Sequence, residues 1–139
     1  METLRVLVTS GAGFIGSHLV KALVKAEQQV RVLDNLSTGS IENLTDVLNA
    51  IEFVRGDVRD YGAVEYAVGG VDAVVHLAAL IDVAEAMENP DLYFDVNVRG
   101  TYNVVKASKN VSTFIFASSS AVYGETIRVP IPRGPPINA

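Results

Sequence analysis

Gly11, Gly13 and Gly16 stand in a G-x-G-x-x-G arrangement directly behind an apolar run at residues 4–8. That spacing suits a strand, a turn and a helix in which the backbone bends tightly, approaches a diphosphate and packs the helix on the strand. Amides at the start of such a helix face an anion. Asp34 lies 18 positions beyond Gly16, at the end of a second apolar run, where a carboxylate accepts hydrogen bonds from the ribose of an adenosine. A strand before the glycines, a helix after them and an acid closing the next strand together specify a dinucleotide site, which the glycines alone do not. A carboxylate at Asp34 repels the 2′-phosphate of NADP, and no arginine follows it closely in the sequence. NAD is therefore the expected cofactor.

Other chemistry-bearing residues are sparser. Asp57 ends a third run at the edge where such a site forms. His76, within VVHLAA, reads as a neutral, hydrogen-bonded core histidine, and His18 as a helix-packing residue. Two histidines so placed make no metal signature, and the chain has no cysteine to act as nucleophile or ligand. Asp60, Glu65 and Glu85 read as solvated surface charges. Ser118, Ser119 and Ser120 close the last apolar run, and their place at its carboxyl end favours a functional role for Ser119.

These residues need a frame, and the pattern supplies one. At 139 residues and 49% apolar composition the chain has the size of one domain. A net charge of −5 without a Lys/Arg cluster argues against nucleic-acid and anionic-membrane partners. Neither a signal peptide nor a membrane-spanning run is apparent, so a cytoplasmic location is expected. Strands are expected at 4–8, 29–33, 51–55, 73–77 and 113–117. Helices are expected at 14–26, weakly at 42–48, at 61–68 and at 90–109. In the first, Ile15, Leu19, Leu23 and Ala26 would share a face, and in the last Tyr93, Asn97, Gly100 and Val104 would form a stripe. The continuous apolar character of 73–77 suits a central strand. Alternation of strand and helix predicts a Rossmann-like, doubly wound parallel α/β sheet of order 3-2-1-4-5 that stops after strand five. Four of the five prolines fall in the last ten residues, so 1–127 is read as the NAD-binding domain and 128–139 as a proline-rich tail.

The blocks TSGAGFIGSH, VLDNLSTGS, VRGDVRD, VVHLAA, NPDLYFDVNVRGT and FASSSAVYGE resemble the extended short-chain dehydrogenase/reductase family, most of all its NAD-dependent UDP-glucose 4-epimerases. The resemblance implies that Phe14 and Ile15 lie beside the pyrophosphate, with Asp34, Asn35, Ser37, Thr38 and Gly39 around the adenosine ribose. It implies that Asp57 and Val58 hold the adenine, that Leu77, Ala78 and Ala79 line the approach to the nicotinamide ribose, that Asn97 reaches inward, and that Ser119 is the catalytic serine. Ser10 departs from the pattern, standing where the family carries a glycine; a Cβ there crowds the turn if a positive φ is needed, with Gly11 expected to absorb the strain and cofactor binding weakened rather than lost.

A second departure concerns the catalytic base. The family's Tyr-x-x-x-Lys helix, expected after FASSSAVYGE, does not occur within the 139 residues. The literal match, Tyr102 to Lys106, precedes the serine strand and reads as surface or packing, while Tyr123 has Ile127 rather than a lysine four positions on. An acid pair beside the serine, which sugar-nucleotide dehydratases carry, is replaced by Ser120 and Ala121. The expectation is the NAD-binding part of a nucleotide-sugar epimerase, without its substrate domain, inactive alone and homodimeric. A noncatalytic NAD-binding or interaction module is the alternative.

Overall fold

The computed structural model describes residues 3–124 and Pro130. Five strands, β1 (Arg5–Thr9), β2 (Gln29–Asp34), β3 (Ile51–Arg55), β4 (Ala73–His76) and β5 (Thr113–Phe116), form one sheet of order β3-β2-β1-β4-β5. Every pairing is parallel, with Val6 opposite both Val30 and Ala73. This is the expected order; β4 lies inside the sheet, although the middle strand is β1.

Side chains alternate across each strand, so the sheet serves two cores. On one face, Val8 and Val32 pack with Val20 of helix α1 (Phe14–Lys25) and with Leu44. On the other, Leu7, Leu33 and Val74 pack with Val64 of α2 (Tyr61–Val68) and Val104 of α5 (Thr101–Ala107). Each such side chain contributes roughly 1.5–3 kcal/mol on burial. A charge also lies inside. Arg31 on β2 donates from Nη1 to the carbonyls of Ala67 and Gly69, both at 2.8 Å, and pairs with Glu52 at 2.8 Å. It thereby satisfies carbonyls that the end of α2 leaves without intrahelical donors.

Four details differ from the sequence expectation. The buried residues of α1 are Gly16, Ser17 and Val20, while Ile15 is 69% exposed, because Gly16 must lie against the Ser10 carbonyl and Gly11. Residues Ile41–Ala50 form a 3-10 helix capped by Ser40, whose side chain accepts from Glu42 N. A short helix not expected, α3 (Val83–Glu88), is capped by Asp82 accepting from Glu85 N at 2.9 Å. The long helix at 90–109 is divided into α4 (Pro90–Phe94), a π-helical segment Asp95–Gly100 and α5, followed by the 3-10 turn Ser108–Asn110. The expected tail lies outside the described residues apart from Pro130.

Candidate functional site

The carboxyl ends of the strands and the first turn of α1 converge on one edge of the molecule. Gly13 caps α1 without a side-chain hydrogen bond, and there is no acid in the first turn. The first bond of the helix runs from Ser17 N to Gly13 O, so the amides of Phe14, Ile15 and Gly16 have no intrahelical acceptor. Phe14 and Ile15 flank them, both exposed. Gly11 and Gly16 are required for space. A Cβ on Gly11 would meet Val32 Cγ1 at 2.7 Å, and one on Gly16 would run into the Ser10 carbonyl oxygen. The left-handed residue of the turn is Ser10, with φ +56°. Gly11 is not left-handed and does not absorb that strain, contrary to the sequence expectation.

Asp34 is 6% exposed and ties β2 to this turn. Its Oδ2 accepts from Ala12 N at 2.9 Å and its Oδ1 from Leu36 N at 2.8 Å. The carbonyl of Ala12 in turn accepts from Ser40 N and from Asn43 Nδ2. Gly39 packs so closely here that a Cβ would lie 2.8 Å from Ala12 C. A cleft of about 210 Å³ opens beside this joint, lined by Ser10, Asp34, Asn35, Ser37, Thr38, Asp57, Val58, Ala78 and Ala79. The cleft also takes in Arg59 and Glu85, neither of which was expected there.

Asp57 is more heavily committed than Asp34. Its Oδ1 accepts from Arg59 N and Arg59 Nε, both at 2.9 Å; its Oδ2 accepts from Arg59 Nη2 at 2.7 Å and Asn35 Nδ2 at 2.9 Å. The four acceptor positions of the carboxylate are filled. The Arg59 side chain holds the Asp57 carboxyl well below the usual carboxylate range, and Asp57 in turn raises the Arg59 guanidinium. The Asp-x-Arg spacing was the signal for this pair. Asp60 is exposed yet caps α2, accepting from Gly62 N at 2.9 Å.

The loop after β4 forms the opposite wall. Thr9 Oγ1 accepts from Leu77 N at 3.0 Å and Ala78 N at 3.1 Å. Asn97 grips Leu80 by both backbone groups, accepting from its N at 2.8 Å and donating to its O at 2.9 Å. His76 is buried between Thr9 Oγ1 at 2.8 Å and Thr101 Oγ1 at 2.9 Å, as a core histidine should be. His18 is exposed and bonds to Phe14 O rather than packing inside. Glu85, expected as a free surface charge, accepts from Tyr93 Oη at 2.9 Å. Ser119 follows β5, is exposed, and caps the turn Ser120–Tyr123 by accepting from Ala121 N at 3.2 Å. Tyr102 is 63% exposed on α5, with Lys106 over the Tyr61 ring at 4.7 Å, so this pair belongs to the outer surface. No cluster of three or more metal-ligating side chains occurs among the described residues.

A parallel sheet of this order, with an open helix N-terminus behind a glycine turn and an acid closing the second strand, defines a dinucleotide-binding α/β domain. Residues 6–137 match the model of the NAD dependent epimerase/dehydratase family, and the chain belongs to that family. It is 42% identical over 137 residues to the putative UDP-glucose 4-epimerase of Methanocaldococcus jannaschii, covering 96% of this chain and 44% of that protein. The UDP-glucose 4-epimerase of Thermus thermophilus, solved with NAD, superposes with a TM-score of 0.81 at 42% identity, over 95% of this chain and 42% of that one. The UDP-Glc/GlcNAc 4-epimerase of Campylobacter jejuni gives a TM-score of 0.87 at 35% identity, over 96% and 43%. The chain thus spans less than half the length of the relatives it matches.

Proposed function

We propose that this chain is the NAD-binding part of a nucleotide-sugar epimerase of the UDP-glucose 4-epimerase type. The observation that carries the reading is the α1 terminus, where the amides of Phe14, Ile15 and Gly16 stand open behind the glycine turn with no acid to compete. A diphosphate fits there. Asp34 uses one acceptor position on each oxygen for backbone amides, which leaves positions for ribose hydroxyls. Asn35, Ser37, Thr38 and Gly39 complete that end, and Asp57 and Val58 bound the base. With its carboxylate filled, Asp57 serves as the anchor that fixes Asn35 and Arg59 at the rim. Leu77, Ala78 and Ala79, held through Thr9 and Asn97, form the wall toward the nicotinamide ribose.

The only cation lining the cleft among the described residues is Arg59, and its charge is committed to Asp57. That supports NAD over NADP. NAD bound there supplies reversible hydride exchange with carbon 4 of a UDP-sugar. The catalytic hydroxyl in this chain is Ser119. Without a Tyr-x-x-x-Lys behind it, the 139 residues bind cofactor without completing turnover, because general base catalysis is worth about 10²–10⁴-fold. The functional unit is a homodimer in the cytoplasm. Calorimetric titration with NAD and then NADP tests the reading, together with an assay for UDP-glucose-dependent reduction of bound NAD. The expected result is a clear preference for NAD and no sugar-dependent reduction. Equal affinity for NADP overturns the role of Asp34, and interconversion of UDP-glucose and UDP-galactose overturns the need for the missing pair.

A further inference from the structure

Ser10 pairs a strained backbone with a polar side chain at the mouth of the cleft. A left-handed conformation is unfavourable for a residue with a Cβ, and Ser10 adopts it at φ +56°. Its backbone groups are both used, N donating to Leu33 O at 2.9 Å and O accepting from Gly13 N at 3.2 Å. The hydroxyl is what remains. Ser10 lines the cleft, and its Oγ lies 3.3 Å from the point where a Cβ on Gly13, the cap of α1, would project. Among the described residues no side chain or backbone group hydrogen-bonds to this oxygen.

Strain of this kind persists at ligand sites, where the side chain it presents has a use. We propose that Ser10 is a binding residue whose hydroxyl donates to a diphosphate oxygen of the dinucleotide. This rests on the NAD reading above and adds a donor to it. A glycine at position 10 relieves the backbone and removes the donor, so stability and affinity must move in opposite directions. A residue that is merely tolerated predicts that both improve together. This reverses the sequence expectation that a side chain at position 10 weakens binding.

The test compares the parent chain with Ser10→Gly and Ser10→Ala. Thermal melting is followed without ligand, and titrations use NAD, ADP-ribose and adenosine. The expected result is a higher melting temperature for Ser10→Gly, together with five- to tenfold weaker binding of NAD and ADP-ribose by both variants. Adenosine, which has no diphosphate, should bind all three proteins equally. NAD affinity of Ser10→Gly equal to or tighter than the parent overturns the proposal, as does equal weakening for adenosine. Failure of the parent itself to bind either dinucleotide ligand removes the NAD reading and this one with it, a pattern distinct from equal binding by parent and variants.

Discussion

The hydroxyl of Thr9 has one proton and two lone pairs, and both lone pairs are taken by the amides of Leu77 and Ala78. Its proton must therefore go to His76 Nδ1, 2.8 Å away. That leaves the proton of a neutral imidazole on Nε2, from which it is donated to Thr101 Oγ1 at 2.9 Å. A second ring proton would confront a donor, and burial in any case lowers the His76 pKa from 6.5 to about 4. As pH falls from 6.5 to 4 the unfolded chain gains a proton that the folded chain refuses. Stability present in full above 6.5 is thus lost through that interval, by about 3 kcal/mol if His76 acts alone. Urea unfolding at pH 7.5, 5.5 and 4.5 should show this decline, and His76→Gln should flatten it. Asp57 contributes little at these pH values, because its stabilisation begins to be lost only as pH approaches 3.8, where the carboxyl of the unfolded chain takes up a proton. A stability that is constant over the interval in the parent rules out a neutral, buried His76.

At the level of elements, the strands were legible because each is a short, largely apolar run, and all but β5 end in a polar residue at one edge of the sheet. Their order followed from alternation with helices. Gly11, Gly13, Gly16 and Asp34 were legible for the same reason, since their spacing already describes the turn they make. The helix at 90–109 was legible in extent but not in winding. A Cβ on Gly100 would come within 2.6 Å of Val58 Cγ2 while Asn97, three residues earlier, must reach Leu80, and the π-helical segment Asp95–Gly100 spans both positions. Helix α3 did have a signal, the Asp82-x-x-Glu85 spacing, but six residues with none buried carry no periodicity to read. The Asp57–Arg59 pair escaped because only the folded loop aims the guanidinium back at its neighbour. Thr9 holds the start of the loop from β4 to α3 and Asn97 holds its middle, so Asn97→Ala should release Leu80 from two hydrogen bonds. The expected cost is about 1–2 kcal/mol of stability. Hydrogen exchange should show faster exchange at Leu80 while the amides of β1 slow or quicken only with global stability; unchanged exchange at Leu80 would mean that the loop is held by other contacts.

For the molecule as a whole, the decisive asymmetry lies at the β5 side. Strand β5 has β4 on one side and no strand on the other among the described residues, and its Ile115 and Phe116 are 52% and 56% exposed. Phe94, Val98, Tyr102 and Val105 are each at least half exposed. Their spacing of four, four and three residues sets them along one side of the α4–α5 rod. Apolar surface so arranged among the described residues calls for a partner. Net charge of −5 over the chain gives weak repulsion that hydrophobic contact overcomes at ordinary salt. The 139-residue chain should therefore form dimers whose fraction rises with concentration, as read by light scattering on a sizing column. Replacing Val98 and Tyr102 together by glutamate places charge in the middle of this row, at residues that do not line the cleft. The double variant should raise the dimer dissociation constant at least tenfold and leave the NAD titration unchanged. A parent chain that stays monomeric at the highest concentration reached, or a double variant that dimerises as well as the parent, would move the dimer contact off this face.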